Sequence, residues 1–188
     1  MFRLFVAISF PEDVRIRLAG VCSGLPGARW IDADSMHLTL RFIGDVGGDL
    51  AEDIDAALQG VSAPAFELMI AGVDCFESGG KVHTLWAGVE KQPLLVHLRD
   101  KVESAVVRAG CEPERRKFKA HVTLARFRSG TPPRIGSFLQ SYSRLALGPF
   151  PVERFTLYRS HLGSEKAHYE ALADYPLDPA PGHDWQEE

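Results

Sequence analysis

The chain has few cysteines, no long apolar run and no large excess of charge, and each absence excludes a class of protein. Three cysteines among 188 residues are too few and too widely spaced for a disulfide framework or a zinc site, so we predict a cytoplasmic protein. No apolar run approaches the roughly 18 residues that a membrane span needs, and we expect neither a membrane segment nor a signal peptide. A composition of 45% hydrophobic and 24% charged residues excludes a disordered or fibrous chain.

The net charge of −4 conceals an uneven distribution. Residues 99–144 contain eleven basic and four acidic residues, a balance of +7 against −11 for the rest of the chain. The total charge therefore argues against broad, sequence-blind coating of nucleic acid but leaves room for a local phosphate-binding surface. A solvated helix face with a polar loop also explains the basic stretch, so charge alone leaves both interpretations open.

Strand-like and helix-like patterns alternate along the chain. Alternating or β-branched segments predict strands at 2–10, 36–43, 66–76, 82–89, 121–127, 150–161 and 166–177, with a short extended piece at 28–31. Apolar residues at helical spacing predict helices at 11–25, 49–61, 93–109 and 132–142. This order favours an α+β fold with antiparallel sheets and helices on one side. We predict a single domain over residues 1–177 and a disordered acidic tail over residues 178–188.

One pattern, His-x-Thr-Leu, occurs twice, beginning at His37 and at His121, 84 residues apart. Residues i and i+2 of a strand lie on the same face about 7 Å apart, so Thr39 and Thr123 each place a hydroxyl beside an imidazole. An imidazole pKa of about 6.5 allows one histidine to be neutral and the other protonated, as a paired general base and general acid require. The threonine hydroxyls are suited to hold phosphate oxygens.

Two other roles compete for the histidines. A lone histidine on a strand is usually solvated or hydrogen-bonded, but this does not account for a matched pair. A metal site needs several ligands, whereas each motif supplies one and no carboxylate or cysteine accompanies it. We therefore predict acid/base catalysis without a metal or another cofactor.

The paired motifs resemble the signature of the 2H phosphoesterases, and the surrounding sequence is similar to the RNA 2′,3′-cyclic phosphodiesterases, also called 2′-5′ RNA ligases. The similarity extends over residues 2–177, with flanking pieces at 3–8, 36–44, 85–89, 118–126, 155–160, Tyr169 and 175–177. Two positions depart from the family pattern. Ala120 stands where the family often has proline before the second histidine, and residues 166–168 lack a glycine that often precedes the late tyrosine.

The resemblance implies a bilobal α+β fold with two antiparallel sheets around a central groove, helices on the outside and a pseudo-two-fold axis. It also implies metal-independent opening of a terminal 2′,3′-cyclic phosphate on RNA to a 2′-phosphomonoester. In that reaction His37 would be the proton donor and His121 the proton acceptor, although the sequence itself is symmetric on this point. Reversal with an RNA 5′-hydroxyl would form a 2′-5′ linkage. The implied partner is RNA with a cyclic phosphate end; we expect no membrane partner and predict a monomer.

Four further residues are candidates for substrate contact, namely Arg126, Arg41, Phe10 and Phe42. Arg126 matches a phosphate-contacting arginine that the family carries five residues after the second histidine. Strict alternation would place the Arg126 side chain on the face opposite to His121, so a bulge or the end of the strand must intervene if it is to reach the same groove. Arg41 lies four residues after His37, so alternation places both side chains on the same face of the strand. An arginine that is simply exposed to solvent explains this position equally well. Phe10 and Phe42 are suited to stack on a base, although apolar strand residues belong more often to the core.

Two alternative functions stay open at this point. The same chemistry on a small cyclic nucleotide or a 2′-5′-linked oligonucleotide needs fewer positive charges, so the basic stretch favours RNA. A noncatalytic RNA-binding protein would retain its function after either motif histidine is replaced by alanine.

Overall fold

Nine strands and four α-helices follow one another in this computed structural model, which describes residues 1–163 and 167–180. Their order is β1 Phe2–Ser9, α1 Glu12–Ala19, β2 Arg29–Trp30, β3 His37–Val46, α2 Gly48–Gln59, β4 Phe66–Ser78, β5 Lys81–Val89, α3 Pro93–Arg108, β6 His121–Arg126, α4 Ile135–Ser141, β7 Ala146–Val152, β8 Arg154–Leu162 and β9 Ala167–Pro176. A short 3₁₀ turn, Ala33–Ser35, leads into β3. The helices of the described ranges lack the combination of length and apolarity that a membrane crossing requires.

Two elements differ from the sequence prediction. Helix α1 ends at Ala19 rather than at residue 25, and Gly24 adopts a φ of 84° that interrupts helical geometry. The predicted strand at 150–161 is two strands, β7 and β8. Strand β7 begins at Ala146 and contains the pair Gly148-Pro149. Glycine and proline are uncommon inside strands, so the sequence pattern did not predict the start of β7. Proline is tolerated there because β7 lies at the edge of the sheet.

One antiparallel sheet contains all the strands of the described chain. Its order is β7-β4-β5-β6-β3-β1-β8-β9, and β2 pairs with β6. The central strands β3 and β6 pair only at Leu38 and Val122, whereas every other neighbouring pair in this order shares several residues. The α+β class is therefore confirmed, but the two predicted sheets are two halves of one sheet, one of five strands that includes β2 and one of four. The pseudo-two-fold axis stays a prediction.

The core lies between one face of this sheet and the helices. From the two central strands it takes Leu38, Leu40, Val122 and Leu124, all at most 3% exposed. The helices contribute the buried residues Val14, Leu18, Ile54, Leu58, Leu95, Leu98, Val102 and Val106. Because strand side chains alternate between faces, the residues between these leucines and valines project away from the core.

The segment that follows β9 is hydrogen-bonded to the rest of the protein. The Asp178 amide donates to Ala63 O at 2.8 Å, and the Ala65 amide donates to Asp178 O at 2.7 Å. The bonded part of the chain thus includes the first residue of the predicted tail. Residues 181–188 lie outside the described residues, so their disorder stays a prediction.

Candidate functional site

The two motif histidines begin the two central strands. His37 is the first residue of β3 and His121 the first residue of β6. Antiparallel register through the Leu38–Val122 pair sets His37 across from Thr123 and Thr39 across from His121. Each imidazole therefore has two hydroxyl-bearing positions near it, one on its own strand and one on the neighbouring strand.

A cavity of about 590 Å³ covers this strand pair, and we call it the central groove. All four motif residues line it, as do two of the predicted contact residues, Phe42 and Arg126. Its wall also includes side chains to which the sequence assigned no role, among them Arg3, Phe5, Arg116, Ser160 and Tyr169. The structure thus brings together six of the eight predicted site residues.

A one-residue bulge occurs at the same offset in both central strands. In β6 the register shifts between Ala125 and Thr123 where they pair with β5, and Leu124 is the extra residue. In β3 the register shifts between Arg41 and Thr39 where they pair with β1, so Leu40 is the extra residue. A bulge reverses the alternation of side chains that follow it. Both explanations that we offered for Arg126 therefore apply, because the bulge precedes it and it is also the last residue of β6. The counterpart bulge in β3 turns Phe42 toward the groove.

Arg41 does not line the central groove, because the bulge in β3 turns it to the other face. Its side chain is 8% exposed, with Nε 2.9 Å from Glu103 Oε2 and Nη1 3.4 Å from Glu114 Oε2. The Nε contact is an ion pair without the alignment of a hydrogen bond. Arg41 also donates to the carbonyl of Glu112. The i+4 parity argument was wrong here, and Arg41 holds the 112–114 segment against β3.

Phe10 also lies away from the groove. It is 5% exposed and belongs to the core, where its ring packs edge-on against Phe150 at a centroid distance of 5.6 Å. Phe42, in contrast, is 40% exposed and carries the Arg3 guanidinium 5.2 Å above its ring centroid. Of the two aromatic candidates, only Phe42 is placed to stack on a base.

Both imidazoles are fixed by the same local hydrogen bond. His37 Nδ1 lies 2.8 Å from Ser35 O, and His121 Nδ1 lies 2.7 Å from Lys119 O, each carbonyl being two residues earlier in the chain. A carbonyl oxygen only accepts, so Nδ1 carries the proton in each ring. When the ring is neutral, Nε2 is then the unprotonated nitrogen that is available for proton transfer.

The surroundings lower the pKa of both histidines. Burial lowers the pKa of His37 to about 4, the positive charges of Arg126 and His121 add to this effect, and the hydrogen bond to Ser35 opposes it. Burial also lowers the pKa of His121, the hydrogen bond to the Lys119 carbonyl opposes this effect, and the charges of Arg126 and Lys119 add to it. Both pKa values therefore lie below the usual value of 6.5 in the protein without a ligand, and the neutral form of each ring is favoured at pH 7.

Aromatic rings pack against each imidazole. Around His37 the ring centroids of Phe5 and Tyr169 lie at 4.9 Å and 5.3 Å. Around His121 the centroids of Phe76 and Trp86 lie at 5.0 Å and 5.9 Å. Such packing restricts ring rotation and keeps each Nε2 in one direction. Within the described ranges, no group of three or more His, Cys, Asp or Glu side chains is arranged to hold a metal ion.

The groove residues that sequence reasoning missed carry only weak signals. Arg3 and Phe5 follow the alternation of β1, and Ser160 and Tyr169 pair with each other between β8 and β9. Their position beside the motifs depends on the strand order, which the sequence does not show. Arg116 belongs to the basic stretch and was one of many equivalent candidates there.

Comparison with known proteins adds to this geometry. The family model of the 2′-5′ RNA ligase superfamily matches residues 11–164. The chain belongs to the 2′-5′ RNA ligase superfamily. The resemblance recognised from the two motifs is thereby confirmed.

Relatives and solved structures of the 2′-5′ RNA ligase superfamily cover nearly the whole chain. An RNA 2′,3′-cyclic phosphodiesterase of Archaeoglobus fulgidus is 28% identical over 173 residues, which are 90% of this chain and 97% of the relative. One of Geobacillus stearothermophilus is 33% identical over 184 residues, 94% of this chain and 58% of the relative. The crystal structure of E. coli LigT complexed with 3′-AMP is 27% identical, with a TM-score of 0.74 over 94% of this chain and 98% of that one. A Thermus thermophilus protein, TT0787, is 24% identical and has the same fold, with a TM-score of 0.78 over 93% of this chain and 97% of that one.

Proposed function

We propose that the protein hydrolyses the 2′,3′-cyclic phosphate at the end of an RNA to a 2′-phosphomonoester. The observation that carries this proposal is the pair of imidazoles, His37 and His121, which face one groove with Nδ1 fixed and Nε2 available. Opening a cyclic phosphodiester requires a base for the attacking water and an acid for the departing oxygen, on opposite sides of the phosphorus. Two fixed imidazoles in one groove are suited to these two tasks.

His121 acts as the general base and His37 as the general acid, an assignment that follows the family resemblance. Nε2 of His121 accepts a proton from water as the water oxygen bonds to phosphorus. The bond between phosphorus and the 3′-oxygen breaks, and the proton on Nε2 of His37 passes to that oxygen. The hydroxyls of Thr39 and Thr123 donate to the nonbridging oxygens, and Arg126 opposes their negative charge.

The substrate itself supplies the protonation state that catalysis needs. His37 is neutral at pH 7 in the free protein because its pKa is about 4. A phosphodiester anion beside the ring favours the charged imidazolium, because an opposite charge within about 4–6 Å raises the pKa of a base. Binding of the cyclic phosphate and protonation of His37 are therefore coupled.

RNA is the proposed substrate for two reasons. Curated relatives of similar length are named RNA 2′,3′-cyclic phosphodiesterases. The groove wall also contains three arginines, Arg126, Arg3, which pairs with Asp45, and Arg116, which pairs with Glu114, and cationic side chains favour a phosphate-rich substrate. The same groups run in reverse would join the cyclic phosphate to an RNA 5′-hydroxyl.

We further propose a monomer in the cytoplasm, and size-exclusion chromatography with light scattering tests the oligomeric state.

The test uses an oligonucleotide ending in a 2′,3′-cyclic phosphate, incubated with the protein in EDTA, and identifies the product end. We expect a 2′-phosphate, and we expect His37→Ala and His121→Ala each to lower the rate by about 10²–10⁴. His97→Ala is the matched control, because His97 is exposed on α3 and does not line the groove. Absence of turnover, a requirement for added divalent metal, or full activity of either motif variant would refute the proposal.

A cyclic mononucleotide assayed beside the oligonucleotide tests the alternative substrate class. If RNA is the substrate, the oligonucleotide has the higher kcat/KM, because its further phosphates reach the basic wall of the groove. A preference for the mononucleotide would favour a small cyclic nucleotide instead.

A further inference from the structure

The two motif histidines are fixed in the same way, but by residues of different charge. Each ring donates from Nδ1 to a carbonyl two residues earlier in the chain, which belongs to Ser35 at His37 and to Lys119 at His121. Serine is neutral, whereas lysine carries an ammonium group on the same residue whose carbonyl fixes the ring. The two otherwise similar sites therefore differ in charge at this position.

The ammonium group of Lys119 is held near the His121 ring by a tryptophan. Lys119 Nζ lies 5.3 Å from the ring centroid of Trp86, and the Trp86 centroid lies 5.9 Å from that of His121. A cation is attracted to the face of an indole ring by the quadrupole of the ring. Trp86 is only 5% exposed, so its ring is a fixed support. One residue thus contacts His121 directly through its carbonyl and indirectly through Trp86.

The positive charge lies on the side of His121 rather than on the side of His37. A cavity of about 320 Å³, which we call the second cavity, opens beside the central groove at His121 and does not include His37. The charged residues of its wall are Arg41, Arg99, Glu114, Arg116, Lys117 and Lys119. Neighbouring carboxylates pair with the three arginines and offset their charges. The net positive charge of this wall therefore comes largely from the two lysines, which are exposed.

Other charged residues approach His121 from the central groove and from the surroundings of Trp86. The central groove has the charged or titratable residues Arg3, His37, Arg116 and Arg126. A third cavity, which Trp86 and Lys119 line, has the charged residues Asp74, Glu90 and Lys91. Among these groups, Arg126 and Lys119 lower the pKa of His121. The charges that lower the pKa of His37 are those of Arg126 and His121. Arg126 therefore acts on both rings, whereas Lys119 acts on the general base.

A charge beside the general base has a use once the substrate is bound. A phosphodiester anion between the two imidazoles raises the pKa of both, because an opposite charge favours the protonated ring. Protonation suits His37, which gives up a proton in the proposed reaction, but it would block His121, which must accept one. A cation on the side of His121 alone opposes the unwanted protonation and leaves the wanted one possible.

We propose that Lys119 is a positioning residue for the general base, an inference that rests on the proposed function. Its carbonyl holds the His121 ring, and its ammonium group, supported by Trp86, keeps that ring unprotonated when the phosphate anion binds. Lys119 itself transfers no proton. Its effect is an electrostatic difference between two histidines whose own motifs are alike.

The experiment compares two variants of Lys119 with one variant of a neighbouring lysine. Lys119→Met keeps the carbonyl and an apolar stem over Trp86 but removes the ammonium group, and Lys119→Arg keeps a cation. Lys117→Met is the matched control, because Lys117 is exposed on the same segment and lines the second cavity, whereas the cation over Trp86 is that of Lys119. NMR follows the titration of His121 without ligand, and the His121→Ala spectrum assigns its resonance. The pH profiles of kcat and kcat/KM are measured with the cyclic-phosphate oligonucleotide.

In Lys119→Met we expect the pKa of His121 to rise, because a charge that lowers it has been removed. The value of kcat/KM at about pH 5 should then fall about two- to fivefold, as expected for loss of an exposed charge, and it should be unchanged at about pH 8. Lys119→Arg and Lys117→Met should both keep the wild-type titration and profile.

The proposal is overturned if Lys119→Met leaves the pKa of His121 unchanged, or if Lys117→Met raises it equally. It is also overturned if Lys119→Met lowers kcat/KM by the same factor at every pH, since a uniform loss indicates direct contact with the substrate. Absence of hydrolysis by the wild-type protein is a different outcome, because it refutes the proposed function while the titration of His121 still measures the effect of Lys119.

Discussion

The clearest quantitative prediction concerns the protonation of His37 before and after a phosphate binds. Burial lowers the pKa of His37 from 6.5 to about 4, so about one ring in a thousand is protonated at pH 7 in the free protein. The difference corresponds to about 3 kcal/mol in favour of the neutral ring. Because the unfolded chain binds this proton more readily, the contribution is fully present above pH 6.5 and is lost as the pH falls through 4.

The assay is an NMR titration of the histidine rings, without ligand and with a nucleoside 2′-monophosphate. Without ligand we expect His37 to stay neutral with its proton on Nδ1 down to about pH 5, since Ser35 O accepts that proton. With the phosphate bound, its pKa should rise toward neutrality. The His37→Ala spectrum assigns the resonance. A free-protein pKa at or above 6.5, or no change with the phosphate, would show that the coupling between binding and protonation is wrong.

The same shifts set the pH dependence of catalysis. The profile of kcat/KM reports the free enzyme, in which the pKa values of both His37 and His121 are lowered. We therefore expect a bell-shaped profile with its maximum below pH 6.5. The profile of kcat reports the complex and should lie at higher pH. A kcat/KM that rises steadily through pH 9 contradicts two-histidine catalysis.

Three substitutions test the structure around the site. Arg41→Met leaves the carboxylates that pair with Arg41 without a counter-charge and should lower the free energy of unfolding in urea by about 3 kcal/mol. A second change, Glu103→Gln, should restore part of this stability. Full stability of the single variant would contradict a buried ion pair. Thr39→Val and Thr123→Val should each lower kcat/KM about tenfold to a hundredfold, because each change removes a hydroxyl donor to a charged phosphate. The circular dichroism spectrum should stay unchanged. Unchanged kinetics would show that the threonines do not contact the substrate. Gly88→Ala would bring its methyl within 2.5 Å of a carbonyl of β4, so we expect a loss of about 1–3 kcal/mol in unfolding free energy, and an equally stable variant would show that β4 and β5 separate easily there.

The pair of groove-lining histidines could be predicted from the sequence because its signal is local. The alternation around His37 and His121 predicts both strands and both groove-facing threonines without reference to the rest of the chain. A bulge or a strand end before Arg126 was predicted because the family resemblance assigned this residue a role that plain alternation could not satisfy. The alternation around Arg41 gave no such conflict, so the equivalent bulge in β3 was missed.

The walls of the groove could not be predicted, because they depend on which strands become neighbours. Arg3 and Tyr169 are far from both motifs in the chain and reach the groove through the pairing of β1 with β3 and of β8 with β1 and β9. Phe10 illustrates the opposite error, since an aromatic residue at a strand end looks the same in sequence whether it faces a ligand or the core. Only the packing against Phe150 decides.

The matched bulges have a consequence for how a substrate is oriented. The two His-x-Thr pairs are chemically alike, so the two ends of a bound phosphodiester are distinguished by the side chains around these pairs. The residue that each bulge turns into the groove differs, being an aromatic ring at Phe42 and a cation at Arg126. We expect this difference to contribute to the orientation of the proposed RNA substrate, and an exchange of the two side chains should alter that orientation while both motif histidines stay in place.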